Sequence, residues 1–490
     1  MTQQAGRQAA AEQAAPLQAM GPLEGCACAA IVLVATLLRL FQLGRLSFWY
    51  DEVVTMRLAR AGSTRALLEL LFQIDATRAP LHPLLLHFWT RFFGSSEASA
   101  RSLSVLCGIA TVVLIFEIGR ISFDIATGLW AAWLGSLSPL LIVYAREARM
   151  YAWLVLVTCL CWRLLLALRR TYTPAKAVAY VTGLTALVYS HPLGLLMLGA
   201  LGLAGLIEVR TCFGTWRRWL FIHVGVVILI LPWIGNYLDH PPEFLSGRLS
   251  PRFLLGTPIS FIGGNSILLF GLAVLIALGL ARRGLAHDAG TGLRLVRERW
   301  VAPGFLLLWL ILPPLALYLY SWVSYPVFGP ARYTVFAAPA YLVLVALGLS
   351  QMPAVGRYPL ALGLAIVSAL ALGRLVYDPE LRADWRGFAA AVAEDLAGRP
   401  RHSVVVIVAS ADPNRNVEVD TARYYLPAGC TVIGSGEASA ARLDQIEDGE
   451  VYFAVGSRRQ RIRPVPESLG LYQFRESGHY PGLIVYRGTR

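Results

Sequence analysis

An apolar run, GCACAAIVLVATLLRLFQLG (residues 25–44), leads directly into the aromatic and acidic stretch RLSFWYDE (residues 45–52). The first run is long enough to cross the ~30 Å hydrocarbon core of a bilayer as a helix. Ten similar runs follow it, and together they predict eleven membrane spans. The predicted spans are 25–44, 99–120, 125–143, 151–168, 175–190, 193–208, 218–236, 259–281, 301–321, 332–350 and 358–376.

The composition is typical of a polytopic membrane protein. Of the 490 residues, 56% are hydrophobic and 15% are charged, whereas soluble domains carry about 25% charged residues. These values exclude a soluble, a disordered or a small disulfide-rich protein. Among the seven cysteines, no pair has the spacing of a zinc or redox site.

The distribution of basic residues predicts the orientation in the membrane. Of 43 basic and 30 acidic residues, 29 and 15 precede Asp378, and 14 and 15 lie from there onward. With a cytoplasmic N-terminus, the inner loops contain 15 Arg and Lys residues and the short outer loops contain 5. We therefore predict a multi-pass protein of the inner (cell) membrane whose C-terminal part is extracytoplasmic. No nucleic-acid partner is expected, because the basic run Arg458–Arg463 is short and typical of a solvated loop.

Three regions are predicted along the chain: a disordered cytosolic leader (1–24), an all-α transmembrane domain (25–377) and a small α/β domain (378–490). The long first outer loop, 45–98, contains the amphipathic segment Leu81–Phe93, which predicts a helix lying in the membrane interface. In the last region, β-rich runs alternate with helical patterns. The expected strands are 403–409, 431–433, 451–455, 471–474 and 483–486, and the expected helices are 384–397, 417–425 and 438–446.

Two adjacent carboxylates, Asp51 and Glu52, follow the first span. Charged residues beside apolar spans are costly and suggest a functional site. A carboxylate here could act as general base towards an acceptor hydroxyl. An acidic cap at the start of a helix is the alternative. The pair could also hold a divalent cation, although no complete ligand set is visible.

Arginines in other predicted outer loops provide candidate phosphate ligands. Arg146 and Arg149 flank Glu147, an arrangement that can bind phosphate or form an interfacial anchor with a local ion pair. Arg78 precedes the interfacial helix and could reach an anionic ligand or extend to lipid headgroups. Arg332 is a further candidate, with an ordinary interfacial arginine as the alternative.

Several neutral side chains accompany these charges. They are His82 beside Arg78, Tyr151 after Arg149, His191 on the turn Ser190-His191-Pro192, and Tyr333 after Arg332. A lone histidine on a turn is usually structural, so His191 has two interpretations. All five charged or histidine-bearing segments fall on the outer side in the predicted topology, which one shared site explains better than independent anchors would.

These motifs resemble those of the GT-C membrane glycosyltransferases. Ser47–Glu52 is similar to the acidic first-loop motif of the family 39-like group, which contains protein O-mannosyltransferases and lipid A aminoarabinose transferases. Ser138–Tyr144, running into Glu147–Tyr151, is similar to its second outer loop, and Ser190–Gly194 and Arg332-Tyr333 also match. The resemblance covers most of residues 25–380. One departure is Arg78-Ala79-Pro80, where the family usually has His-Pro-Pro or Lys-Pro.

The resemblance implies transfer of a sugar from a polyprenyl-phosphate donor to a lipid, glycan or protein acceptor at the outer face, with inversion. It implies Asp51, with Glu52, as the catalytic carboxylates. Arg78, Arg146, Arg149 and Arg332 would bind the donor phosphate. A polytopic transporter or lipid flippase is the alternative, but the carboxylates lie outside the midplane positions that transporters favour. A third interpretation treats the last region as a binding module on a membrane anchor.

Overall fold

The computed structural model describes part of the chain. The described residues are 19–75, 78–238, 266–285, 293–324, 331–396, 404–409, 417–428, 430–435, 437–438, 450–456, 468–469 and 472–489. Most of the predicted leader and of the predicted helix 438–446 therefore lies outside the described residues.

Helices form the first three quarters of the molecule. They are α1 (Pro22–Leu40), α2 (Tyr50–Ala59), α3 (Thr64–Ile74), α4 (Leu81–Phe93), α5 (Glu97–Ser122), α6 (Ile125–Leu137), α7 (Pro139–Ala145), α8 (Tyr151–Arg170), α9 (Pro174–Ser190), α10 (Gly194–Ile207), α11 (Val209–Cys212), α12 (Trp216–Leu238), α13 (Ser266–Leu285), α14 (Leu293–Val323), α15 (Ala338–Ser350) and α16 (Ala354–Leu375). Within the described residues, six helices are long and apolar enough to cross a membrane, or seven if α6 and α7 form one bent span. Each predicted span overlaps a helix, and the count of eleven stays a prediction.

The break between α6 and α7 shows how the second outer loop is positioned. The two helices are bent by 60° at Ser138, whose side chain caps α7, and Pro139 occupies the first turn. The buried guanidinium of Arg39 donates hydrogen bonds to the carbonyls of Gly135 and Ser136, which the break leaves without helical partners. The shortened helix α7 then delivers residues 146–150 to the start of α2.

The predicted first outer loop folds into three short helices. The predicted interfacial helix is α4, which has the expected bounds and leaves Phe88, Phe92 and Phe93 exposed. Exposed aromatic side chains suit the headgroup region of a membrane. A ring nitrogen of His87 bonds the carbonyl of Ala59 at 2.8 Å and so ties α4 to the end of α2.

A six-stranded mixed sheet forms the core of the C-terminal domain. Its strands are β1 (Val404–Val408), β2 (Thr431–Gly434), β3 (Glu450–Gly456), β4 (Ser468–Leu469), β5 (Tyr472–Tyr480) and β6 (Leu483–Thr489), in the order β2-β1-β3-β6-β5-β4. Strand β1 is parallel to β2 and β3, and the remaining pairs are antiparallel. Helices α17 (Trp385–Asp395) and α18 (Val417–Tyr425) accompany the sheet. This arrangement confirms the predicted fold class of a helical membrane domain followed by a small α/β domain.

Strand β5 extends further than predicted. Its second half, Glu476–Tyr480, is mostly polar and carries no strand pattern, but it pairs with β6 across the turn Pro481-Gly482. Gly482 has a φ of 69°, which glycine adopts without the strain of a side chain.

Polar contacts join the C-terminal domain to the first outer loop. Arg386 pairs with Glu97 at 3.1 Å, and the Tyr425 hydroxyl donates to Glu97 at 2.9 Å. The Ser47 hydroxyl donates to Asp384 at 3.1 Å. The domain therefore lies directly against the segment that leads into α2.

Candidate active site

The first turn of α2 brings Asp51 to the centre of a charged cluster that also contains Arg149 and Arg332. Trp49 precedes the helix, so Asp51 lies near its positive N-terminal end. The Asp51 carboxylate contacts the Arg332 guanidinium, with Oδ2 2.9 Å from Nη1. The Asp51 side chain remains 21% exposed, so it is partly accessible. The structure thus brings together two predicted site residues from opposite ends of the membrane domain.

Glu52 has a different environment from its neighbour, because its side chain is fully buried. Arg101 binds both of its oxygens at 2.8 Å, Arg382 binds Oε2 at 2.6 Å, and the Ala148 amide donates to Oε1 at 2.8 Å. Burial alone would raise the pKa of Glu52, but the charges of Arg101 and Arg382 and these hydrogen bonds lower it to about 2. Because both of its oxygens already have partners, Glu52 favours a structural role, and its predicted catalytic role stays a prediction.

Arg149 connects the second outer loop to the backbone of α2. It is buried, and its Nη1 donates to the Asp51 carbonyl at 3.1 Å and to the Thr55 hydroxyl at 2.7 Å. Burial disfavours its charge, but the field of Asp51 leads the opposing effects, and the pKa of Arg149 is raised overall. Its Nε is buried and has no hydrogen-bond partner among the described residues.

Arg332 approaches Asp51 from the turn before α15. Besides the carboxylate, its guanidinium contacts the Tyr333 hydroxyl at 3.4 Å and lies 5.1 Å from the Tyr333 ring centre. Trp49 is on another side, with its ring centre 6.0 Å from the guanidinium carbon. As in Arg149, Nε is buried and unpartnered in the described part of the chain.

Two buried histidines complete this side of the cluster. The His191 Nδ1 accepts a hydrogen bond from the Leu193 amide at 3.0 Å, so in the neutral ring the proton is on Nε2. Burial, with the charges of Arg149 and Arg332, lowers the pKa of His191 to about 3, and burial with Arg149 does the same to His82. Nε2 of each ring has no hydrogen-bond partner among the described residues.

Aromatic rings enclose His191. Its ring centre lies 6.1 Å from that of Tyr151 and 6.3 Å from that of Tyr333. Tyr151 is also buried and packs against Tyr144 at 5.2 Å. The predicted supporting residues Tyr151, His191 and Tyr333 are therefore brought together beside Arg332.

Glu147 belongs to the same region but faces the C-terminal domain. Its Oε1 is 3.0 Å from Nη2 of Arg382, and its buried Oε2 has no hydrogen-bond partner among the described residues. Burial raises the pKa of Glu147 to about 7, although the charge of Arg382 opposes the shift. The carboxyl group therefore changes charge near neutral pH.

Two of the predicted phosphate-binding arginines, Arg146 and Arg78, make contacts away from Asp51. Arg146 donates to the carbonyls of Arg39, Phe41 and Gln42 at 2.7–3.2 Å, and so satisfies the end of α1. The Arg78 guanidinium lies over the Phe72 ring at 5.7 Å, and no described contact joins it to Asp51. Arg146 is therefore occupied by backbone carbonyls, and the predicted contact of either arginine with a donor phosphate stays a prediction.

The divalent cation predicted at Asp51 and Glu52 stays a prediction, because two carboxylates do not make a complete set of protein ligands. Glu52 is held by two arginines, and no group of three or more His, Cys, Asp or Glu side chains in the described ranges could hold a metal ion. Of the two carboxylates, only that of Asp51 belongs to a partly exposed side chain.

Two further residues, Arg101 and Arg382, were missed from the sequence. Arg101 lies within the second predicted span, where a charged side chain near the end of an apolar run is itself a signal of a buried ion pair. Arg382 comes between the last predicted span and the C-terminal domain, and nothing near it in sequence indicates its partners. A cavity of about 500 Å³ lies beside Arg382, between the Phe48–Tyr50 segment and the C-terminal sheet.

Part of the chain matches a known protein family. Residues 77–235, about a third of the chain, match the family described as dolichyl-phosphate-mannose-protein mannosyltransferase. The matched part contains the second outer loop and His191, whereas Asp51 and Arg332 lie outside it. The chain matches no curated protein sequence.

The fold is similar to that of ArnT from Cupriavidus metallidurans. The apo crystal structure aligns with a TM-score of 0.56 at 14% identity, over 94% of this chain and 97% of ArnT. The structure of ArnT bound to undecaprenyl phosphate gives the same values. The apo oligosaccharyltransferase of Archaeoglobus fulgidus aligns over 88% of this chain and 69% of its own, with a TM-score of 0.48 at 11% identity.

The family match over residues 77–235 and the ArnT-like fold support the resemblance to the GT-C class of membrane glycosyltransferases. Within that class, the resemblance to the family 39-like group is confirmed. The transporter alternative is not supported.

Proposed function

We propose that the protein transfers a sugar from a polyprenyl-phosphate donor to an acceptor hydroxyl at the extracytoplasmic face of the inner membrane, with inversion at the anomeric carbon. The observation that carries the proposal is one cluster in which the partly exposed Asp51 carboxylate pairs with the guanidinium of Arg332, while the guanidinium of Arg149 donates to the Asp51 carbonyl. ArnT, whose fold this chain shares, has been crystallised with undecaprenyl phosphate.

Unpartnered polar atoms support an anionic ligand in this cluster. Nε of Arg149 and Arg332 and Nε2 of His82 and His191 are buried without a hydrogen-bond partner in the described residues. A buried donor without a partner costs about 1–3 kcal/mol, so the donors that the structure identifies here, Nε of Arg149 and Arg332 and Nε2 of His191, together favour binding of a polar ligand. Phosphate oxygens suit them, because guanidinium groups bind phosphate through paired hydrogen bonds.

The chemistry then follows from the charges. The acceptor hydroxyl attacks the anomeric carbon from the face opposite the phosphate, and its proton passes to Asp51 as the new glycosidic bond forms. The bond between the anomeric carbon and the phosphate oxygen breaks, and Arg149 and Arg332 stabilise the charge that grows on the leaving phosphate. A single displacement of this kind inverts the anomeric centre, through a transition state resembling an oxocarbenium ion.

The proposal is tested with the purified full-length protein and a panel of polyprenyl-phosphate sugars. We expect one donor to yield free polyprenyl phosphate in an acceptor-dependent manner, with product of inverted configuration. Parallel reactions with Mg²⁺ and with EDTA measure any cation requirement. Failure of the whole panel, together with donor-independent movement of lipid across proteoliposomes, would contradict a transferase.

Replacing Arg149 or Arg332 by alanine should weaken use of the donor. Loss of a hydrogen bond to a charged group costs about 1.5–3 kcal/mol, so kcat/KM for the donor should fall roughly 10- to 100-fold for each variant. Arg332→Lys should recover only part of this loss, because an ammonium group lacks the planar fork. Initial rates at varied donor concentration provide the measurement.

The matched control is Arg65→Ala. Arg65 is an exposed arginine of the first outer loop that pairs with Glu69, and its removal should leave donor kinetics unchanged. Equal donor kinetics in the Arg332 and Arg65 variants would return Arg332 to the role of an interfacial anchor.

A further inference from the structure

Arg382 joins the C-terminal domain to two outer loops of the membrane domain. It lies between α16 and α17, and its terminal nitrogens bind carboxylates that are far apart in sequence. Nη1 is 2.6 Å from Oε2 of Glu52, and Nη2 is 3.0 Å from Oε1 of Glu147. One guanidinium therefore fixes the first outer loop relative to the second.

A third contact leads from Arg382 towards Asp51. The Arg382 guanidinium carbon lies 5.8 Å from the centre of the Trp49 ring, and the same ring is 6.0 Å from the Arg332 guanidinium. Trp49 immediately precedes α2, and Arg332 pairs with Asp51. Arg382 thus contacts Trp49 and Glu52, which lie on either side of Asp51 in the sequence. It has no contact with Asp51 itself in the described structure.

The two carboxylates depend on Arg382 to different degrees. Glu52 also has Arg101 and the Ala148 amide as partners, so it keeps a counter-ion when Arg382 is absent. For Glu147, Arg382 is the ion-pair partner among the described residues, and the other carboxylate oxygen is buried and unpartnered. Loss of Arg382 would therefore release Glu147 and remove one of the two guanidinium contacts of the Trp49 ring, whereas Glu52 would stay anchored.

We propose that Arg382 is a positioning residue for sugar transfer, through which the docked C-terminal domain sets the orientation of the α2 turn that carries Asp51. The inference rests on the proposed function. It assigns the C-terminal domain a part in catalysis, because Arg382 enters the cluster from the segment that opens this domain.

A pH dependence accompanies this arrangement. Burial raises the pKa of Glu147 to about 7 against the opposing charge of Arg382. Above that pH the ion pair with Arg382 is complete, and below it Glu147 is neutral and the pair is lost. The charged and titratable groups around Glu147 are Arg382, Glu52, Asp51, Arg149, Tyr144, and the Arg101 and Arg146 side chains that line the same small cavity. The donor-transfer rate should therefore decline as the pH falls through about 7.

The test compares Arg382→Gln with the parent enzyme in the polyprenyl-phosphate release assay from pH 5.5 to 8.5. We expect kcat to fall roughly 10- to 100-fold, because a displacement of about 1 Å at a reacting group costs about 100-fold. The KM for the donor should change little, and the decline near pH 7 should disappear, since no ion pair remains to be broken. Glu147→Gln should also remove the decline, and the double variant should be no slower than Arg382→Gln alone.

Arg386→Gln is the matched control. Arg386 docks the same segment through Glu97 and the carbonyls of Gly44 and Arg45, but it has no described contact with Trp49, Glu52 or Glu147. It should keep the parent kcat and pH profile. Arg382→Lys, which retains a charge, should recover part of kcat and shows that the site tolerates substitution if Arg382→Gln is poorly folded.

Two results would overturn the inference. One is an Arg382→Gln enzyme with the kcat and pH profile of the parent. The other is an Arg386→Gln enzyme with the same losses as Arg382→Gln, since docking alone would then account for them. A parent enzyme that releases no lipid phosphate contradicts the proposed function itself, so the two failures are distinguishable.

Discussion

Asp51→Asn should abolish sugar transfer while leaving the protein folded in the membrane. Asparagine has the shape of aspartate and can still accept a hydrogen bond from Arg332, but it cannot accept the proton of the attacking hydroxyl. General base catalysis contributes about 10²–10⁴-fold, so kcat should fall by at least that factor. The measurement is the initial rate of polyprenyl-phosphate release at saturating donor.

The same variant should bind the donor at least as well as the parent. In the structure Arg332 has Asp51 as its counter-ion at 2.9 Å, and in Asp51→Asn that counter-ion is missing. A donor phosphate would then be the available anion for Arg332 and Arg149. We therefore expect kcat to fall sharply without an increase in the donor KM. This pattern is expected for a general base, whereas loss of a residue that binds the donor would raise the donor KM.

Glu69→Gln is the control for this experiment. Glu69 is an exposed carboxylate of the same outer loop, paired with Arg65 at 2.9 Å, and its loss should not change the rate. Near-normal transfer by Asp51→Asn would refute the assignment of Asp51 as base. A loss of the folded, membrane-inserted protein would instead assign the effect to stability.

The membrane domain could be predicted from the sequence because the bilayer imposes a simple rule. Every spanning segment must satisfy its own backbone, so a long apolar run becomes a helix, and its position can be read directly. The same reasoning predicts that Asp51, Arg149 and Arg332 lie in outer loops. The structure adds that Arg149 and Arg332 both contact Asp51.

The partner of each charge could not be predicted. Arg146 and Arg149 lie three residues apart and look equivalent in the sequence, yet Arg146 satisfies carbonyls at the end of α1, and Arg149 contacts Thr55 and the Asp51 carbonyl. The difference arises because the loop turns between them, after the short helix α7. Local sequence shows the residue types, but the packing of distant segments decides which arginines remain available for a ligand.

The adjacent carboxylates illustrate the same limit. Asp51 and Glu52 were expected to act together, but consecutive residues of a helix point about 100° apart. Asp51 faces the arginine and histidine cluster, whereas Glu52 faces Arg101, which lies 49 residues further along the chain, and Arg382, which lies 330 residues further along. These partners are separated too far in sequence for any local pattern to reveal them.

Glu52→Gln should therefore act on stability and not primarily on chemistry. Breaking a buried ion pair from one side costs about 3–5 kcal/mol, because the remaining charge, here Arg101, stays buried without its counter-ion. We expect a large drop in the thermal midpoint of the detergent-solubilised protein and poor recovery of the folded form. The exposed pair Arg65–Glu69 gives the contrast, since its removal should cost about 0.2–1 kcal/mol.

The pH dependence of this stabilisation has a definite sign. The pKa of Glu52 in the folded protein is lowered to about 2, against about 4.3 for an unperturbed glutamate. Its contribution to the free energy of unfolding is therefore complete above about pH 4.3 and is lost as the pH falls through 2. Glu52 stays ionised in the range where Glu147 titrates, so the two effects can be measured separately. A Glu52→Gln enzyme with the parent thermal midpoint and no transfer would restore Glu52 to the catalytic pair.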